Sequence, residues 1–193
     1  MKNSFLILFI LVICLSCGQD PVPKPNAHLR LEFPEATYQD LDLQLPFTLE
    51  RNQIATNVDT KQIQGPTESY GVTLQYPSLK GSIYLTYKSI DNKEENLIAF
   101  LRDAQKFTQE HTKKADEIVE QLYENNERRV YGMIYEVGGN AASQSQFYVT
   151  DSINHFLTGS LYFYAKPNYD SIYPAAKYLE KDIKHIMETV TWK

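Results

Sequence analysis

Residues 70–87, YGVTLQYPSLKGSIYLTY, decide how this chain is read. Tyr70, Val72, Leu74 and Tyr76 occupy alternate positions, as do Ile83, Leu85 and Tyr87 after Pro77-Ser78-Leu79-Lys80-Gly81. Successive side chains of a strand point to opposite faces, so each set lines one face, and the Pro-to-Gly segment turns the chain between them. This is an antiparallel hairpin with one buried face. Upstream, Leu29, Leu31 and Phe33 alternate with Arg30 and Glu32, and Phe47 and Leu49 alternate with Thr48 and Glu50, predicting two more strands. The polar stretch between Arg51 and Thr67 has weak periodicity and reads as loop or irregular edge.

Downstream the period changes. Leu97, Leu101, Ala104 and Thr108 recur at helical spacing with Phe100 and Phe107 beside them, predicting a helix to about Thr112. Asn92 with Glu95 suits a capping box at its start, and Lys113 and Lys114 near its end complement the macrodipole. Strand signals return at Ile118 to Tyr123 and at Arg129 to Val137, where Tyr131, Met133, Tyr135 and Val137 fall on one face. Gln146 to Thr150 and His155 to Tyr164 form a second hairpin around Asp151-Ser152-Ile153-Asn154. Ile172, Ala176, Leu179, Ile183, Ile186, Met187 and Val190 trace a long C-terminal amphipathic helix. Asp170 or Ser171 suits its N-cap, with Pro174 in the first turn. Because helices do not alternate singly with strands, the fold class is α+β: a mainly antiparallel sheet packed with two amphipathic helices. The element order is similar to the PsbP/Mog1-like arrangement, an analogy that implies no function.

The N-terminus differs from the rest. Lys2 precedes an unbroken apolar run from Phe5 to Leu15. That run is shorter than the roughly 20 residues a membrane span needs and matches a secretory h-region. Cys14-Leu15-Ser16-Cys17 resembles a bacterial lipobox, with Cys14 standing where Leu is usual. Cleavage before Cys17 leaves the small Ser16 at the cut, whereas cleavage before Cys14 leaves Ile13. Residues 1–16 therefore read as a signal peptide and Cys17 as a lipidation site. No cysteine follows it, so the exported part has none with which to form an internal disulfide. Pro21, Pro23 and Pro25 make residues 17–28 an extended linker, long enough to hold a single domain at 29–193 roughly 25–30 Å from the lipid.

Composition narrows the function. A formal net charge of −5 argues against nucleic acid as a partner. Fourteen Tyr and nine Phe suit half-buried sheet faces or a contact surface. His28, His111, His155 and His185 lack zinc-site spacing, so no metal or cofactor is expected. Ser143 or Ser145 with His155 and Asp151 has the residue types of a catalytic triad, but no G-x-S-x-G elbow presents the serine. Glu110, Glu117 and Glu120 supply carboxylates that a solvated charged face explains equally well. The candidate contact segment is the connector Gly138, Gly139, Asn140, Ser143, Gln144 and Gln146, whose backbone N–H groups could meet an anion or peptide. The simpler reading is a connector whose glycines supply positive φ.

The run Tyr131 to Tyr164 (YGMIYEVGGNAASQSQFYVTDSINHFLTGSLYFY), continued by AKPNYDSIYPAAKYL, resembles the GldD family of gliding-motility lipoproteins from Bacteroidetes. PKPNAHLRLEFPEATY, LPFTLE, GSIYLTYK and FLRDAQKFTQEHTKKAD agree with it. Members often carry a cysteine where Leu45 stands and another near Tyr70; neither is present here. The resemblance implies a non-enzymatic, lipid-anchored accessory protein of the gliding machinery linked to type IX secretion. Its partners would be other envelope proteins, its anchor would be in a membrane, and its expected place is the periplasmic face of the outer membrane. It carries over no catalytic residue, only the lipid site at Cys17. The alternative is an envelope hydrolase or small-ligand-binding lipoprotein with a pocket near residues 138–146.

Overall fold

Val72, Leu74, Tyr76, Ile83, Leu85 and Tyr87 are all buried, as the alternation in the central hairpin requires. In the computed structural model this hairpin is β4 (Ser69–Tyr76) and β5 (Gly81–Ser89), in register from Tyr76↔Gly81 to Ser69↔Lys88. Pro77–Leu79 forms one 3-10 turn, and Lys80 closes it in the left-handed region at φ 52. The structure describes residues 33–112, 115–139, 141–164 and 169–193, without the side chains of 107–112, 116 and 169–170. The signal segment, Cys17, the proline linker, the strand at Leu29 and Leu31, Lys113, Lys114 and Asn140 lie outside the described residues, as does the Asp170 side chain.

Strands β1 (Tyr38–Leu41), β2 (Phe47–Asn52) and β10 (Thr191–Trp192) form a small antiparallel sheet in the order β1-β2-β10. Strands β3 (Asn57–Gln62), β6 (Ala115–Asn125), β7 (Val130–Gly139), β8 (Ser145–Thr150) and β9 (His155–Phe163) join the hairpin. They make a seven-stranded sheet ordered β3-β4-β5-β9-β8-β7-β6, with every pairing antiparallel. Among the described residues two helices complete the architecture, α1 (Glu94–Thr112) and α2 (Tyr169–Thr189). This is α+β, dominated by sheet.

The two faces of the large sheet carry different layers. One face holds α2 and the small sheet. There Phe47, Leu49, Ile83, Leu85, Leu161, Leu179, Ile183 and Ile186 share one core. Full burial of each such side chain stabilises the fold by about 1.5–3 kcal/mol. Gly159 lies under this layer because the Phe147 ring occupies its side-chain space: a Cβ there would meet Phe147 at 2.1 Å. The opposite face carries α1, whose Phe100 packs with Ile90 and Phe156 into a second, much smaller cluster flanked by Leu97, Leu101 and Ala104.

Several details differ from the sequence-based expectation. Residues 57–62 form the regular edge strand β3; their weak periodicity follows from its being exposed along nearly its whole length. β1 and the two-residue β10 are too short to show a period. Asn92 does not cap α1: it sits at φ 53, before a helix that begins at Glu94. α2 starts at Tyr169, ahead of the expected caps, which puts Pro174 in its second turn instead of its first. Along β7 the main core takes Val130 and Ile134, so Tyr131, Met133 and Tyr135 face the α1 side.

Candidate functional site

The connector from β7 to β8 is built to be closed. Gly139 takes φ 88 and turns the chain. Val137 N–H then donates to the Gln144 carbonyl at 2.8 Å, and Gln144 Nε2 donates to the Ala141 carbonyl at 2.7 Å. Ser143 Oγ donates to the Ser145 carbonyl at 3.2 Å, and both serines are fully buried. The segment spends these polar groups on itself, while Ser145 Oγ has no partner among the described residues. Gly138 and Gln144 border a polar groove against α2 with Glu117, Glu136, Lys177 and Glu180. Burial and the neighbouring Glu180 raise the Glu136 carboxyl, with Lys177 opposing them.

Gln146 behaves differently from the other candidate residues. It lies on β8, beyond the connector, and its side chain belongs to the opposite face with Tyr148, Thr158 and Ser160. It is only 3% exposed, yet neither Nε2 nor Oε1 has a hydrogen-bond partner among the described residues. A buried polar group left in that state costs about 1–3 kcal/mol. The sequence singled out Gln146 as part of a loop; the structure separates it from that loop.

Gln146 contributes to the lining of a half-open cleft of about 290 Å³ between α1 and the sheet. Tyr84, Tyr135, Tyr148, Tyr162, Phe100 and Phe156 supply its aromatic surface. Tyr148 and Phe156 stack with centroids 5.8 Å apart at 6°, and Tyr84 meets Tyr162 edge-on at 5.7 Å. Burial pushes the Tyr135 phenol up to about 12, and it also raises Tyr148 and Tyr162, so all three stay protonated at neutral pH. Lys88 and Asp103 are the charged residues of the lining and pair at 3.4 Å, with the Lys88 ammonium 4.7 Å from the Phe100 ring centroid. The signal for this cleft was present in the sequence as tyrosines at outward positions of four strands. It needed the strand order 5-9-8-7 to bring them together.

The triad types are not assembled. Asp151 Oδ1 accepts from the backbone N–H groups of Ile153, Asn154 and His155 at 2.8–3.0 Å, closing the β8–β9 turn. Burial opposes ionisation of Asp151, but these bonds outweigh it and hold its carboxyl below the usual range. His155 Nδ1 bonds the Tyr87 hydroxyl at 2.9 Å, and its ring stacks on Trp192 at 5.1 Å. Ser145 sits one residue beyond the Gln146↔Ser160 pair, at the far end of β9 from His155. At about 3.4 Å per residue the two are roughly 17 Å or more apart. Glu117 and Glu120 lie exposed on β6, and the Glu110 side chain is outside the described residues. No group of three or more His, Cys, Asp and Glu suited to a metal occurs among the described residues.

A second polar cluster joins the small sheet to α2. Asp182 is 1% exposed and accepts from Tyr38 OH at 2.9 Å and from Asn52 Nδ2 at 2.9 and 3.1 Å. Burial raises its carboxyl, and the bonds from Asn52 and Tyr38 pull it back. Beside it Tyr38 stacks on His185 at 3.5 Å, and His185 Nε2 lies 2.7 Å from Glu50. With its oxygens bonded from two strands of the small sheet, this α2 carboxylate ties the helix to that sheet.

No helix among the described residues is long and apolar enough to cross a membrane. No curated protein and no solved structure matches the chain. The family model described as gliding motility lipoprotein GldD matches residues 18–192, which include the connector, the cleft and both helices. The chain belongs to the GldD family of gliding motility lipoproteins.

Proposed function

We propose that the protein is exported, cut before Cys17, lipidated there, and held at the envelope as a non-catalytic accessory part of the gliding machinery. The observation that carries this reading is the family match over residues 18–192. The lipobox supports it from the sequence: one acyl chain binds a membrane marginally, whereas the several chains of a lipobox cysteine anchor it stably. The proline-rich segment 17–28 then spaces a single domain, 29–193, from the bilayer. Action through protein contacts, within machinery that works with type IX secretion, fits a chain in which Ser143, His155 and Asp151 each serve a local structural bond. With only Asp20 acidic just after Cys17, the periplasmic face of the outer membrane is the expected location.

The test is a Cys17→Ser variant expressed in place of the native protein. We expect no incorporation of labelled palmitate, transfer of the protein out of the membrane fraction, and loss of surface spreading. Spreading and secretion that survive complete deletion of the protein would sink the motility role. A hydrolase would instead reveal itself by turnover in purified protein, lost on His155 substitution.

A further inference from the structure

We propose that the aromatic cleft under α1 binds a neutral sugar ring, held by the Gln146 amide and the tyrosines around it. This goes beyond the accessory role above and does not depend on it.

Three features of the cleft select the ligand. First, the Gln146 amide offers one acceptor and two donor hydrogens at one place, all unused by the described residues. A wholly apolar ligand would leave that cost in place. Adjacent hydroxyls on a ring remove it, one donating to Oε1 while its neighbour accepts from Nε2. Second, the lining's charges are already paired, Lys88 with Asp103 at 3.4 Å. An ionic ligand would meet a lining charge already compensated by its partner, so an uncharged one is favoured. Third, the walls are amphipathic. Tyr84 is 41% exposed, while Thr86, Thr158 and Ser160 from neighbouring strands add hydroxyls, that of Thr158 donating to the Thr86 carbonyl at 3.4 Å. A pyranose has this pair of surfaces, C–H groups on one face and hydroxyls around the rim. The volume of about 290 Å³ lies at the small end of ligand pockets, which suits one ring.

The amide atoms of this lining residue are buried in the free protein. Binding therefore includes a side-chain rotamer change at the cleft, of the kind common at recognition sites. A planar cyclic amide is the competing chemistry: it pairs with Gln146 equally well and makes no use of the threonine and serine hydroxyls.

The experiment follows the side-chain amide signals of Gln146 by NMR in the full-length protein in detergent. Glucose, galactose and N-acetylglucosamine are titrated in turn, with 2-pyrrolidone as the planar amide. We expect at least one sugar to shift the Gln146 signals saturably. Gln146→Leu should weaken that binding at least about tenfold, or 1.4 kcal/mol, without lowering Tm, because it removes an unpaired amide. Tyr84→Ala, at an exposed wall, should weaken binding in a protein that stays folded. The proposal is overturned if no sugar shifts those signals or if only 2-pyrrolidone does. It is overturned equally if both variants bind sugar as the native chain does, or if Gln146→Leu melts well below it.

Discussion

The two faces of the seven-stranded sheet are made from the same strands and treat their side chains in opposite ways. On the α2 face, Leu74, Ile83, Leu157, Leu161, Leu179 and Ile183 are wholly buried, and the buried Asp182 carboxylate of α2 is bonded from the small sheet. On the α1 face, a cluster of three buried residues borders an open aromatic cleft with an unpartnered amide. Buried atoms without a partner among the described residues occur on both faces, Ser145 Oγ on the first and the Gln146 amide on the second, so the difference between them is apolar packing. The first face therefore holds the fold by burial, and the second gives up packing for a surface.

The largest effect should come from truncating equivalent leucines on the two faces. Leu179→Ala removes a fully buried side chain between α2 and the sheet and should cost about 2–5 kcal/mol. Leu101→Ala, at a partly buried position against the Phe100 cluster, should cost about 1 kcal/mol. Urea unfolding of both variants measures the gap. Equal losses would mean that α1 holds the fold as strongly as α2, and the division of labour would fail.

Acidification probes the rim of the closed face. Burial lowers the His155 pKa from its ordinary 6.5, with Asp151 opposing and Arg129 adding to the shift. A lowered histidine favours the folded state above its unfolded pKa, and that contribution is lost as pH falls through the folded value. Asp182 has the opposite sign. Its raised carboxyl favours the fold most below the ordinary 3.8, and that contribution is lost as pH rises through the raised value. Thermal melting should therefore show Tm falling as pH drops below 6.5. His155→Phe, which keeps a ring against Trp192 but cannot titrate, should flatten that slope. An unchanged slope in the variant would remove His155 from the account.

The closed face was the part most readable in the sequence. Val72, Leu74, Ile83 and Leu85 alternate with polar residues because one side of each strand is dry, and Ala176, Leu179, Ile183 and Ile186 repeat at helical spacing for the same reason. Elements that bury little were harder to see. β3 is exposed and polar, and β10 is two residues long, so neither has a period. The cleft was hidden for another reason. Its residues come from β5, β7, β8, β9 and α1, and strand order cannot be read from spacing along the chain. The connector at 138–146 stood out for its glycines and small polar residues, which serve its own closure; Gln146 was picked for its neighbours rather than for its direction.

The smallest effect concerns the far end of the open face. Leu122 on β6 pairs with Met133 on β7, which pairs with Tyr148 on β8, so the three continue the aromatic side of the sheet toward its edge. Leu122 is 64% exposed. Little apolar area leaves water there on folding, and a β-branched polar residue suits an exposed strand position at least as well. Leu122→Thr should therefore change stability by no more than about 0.5 kcal/mol in urea unfolding. A loss as large as that of Leu101→Ala would show that this edge is covered in solution, and the open face would end at β7 instead of running out to β6.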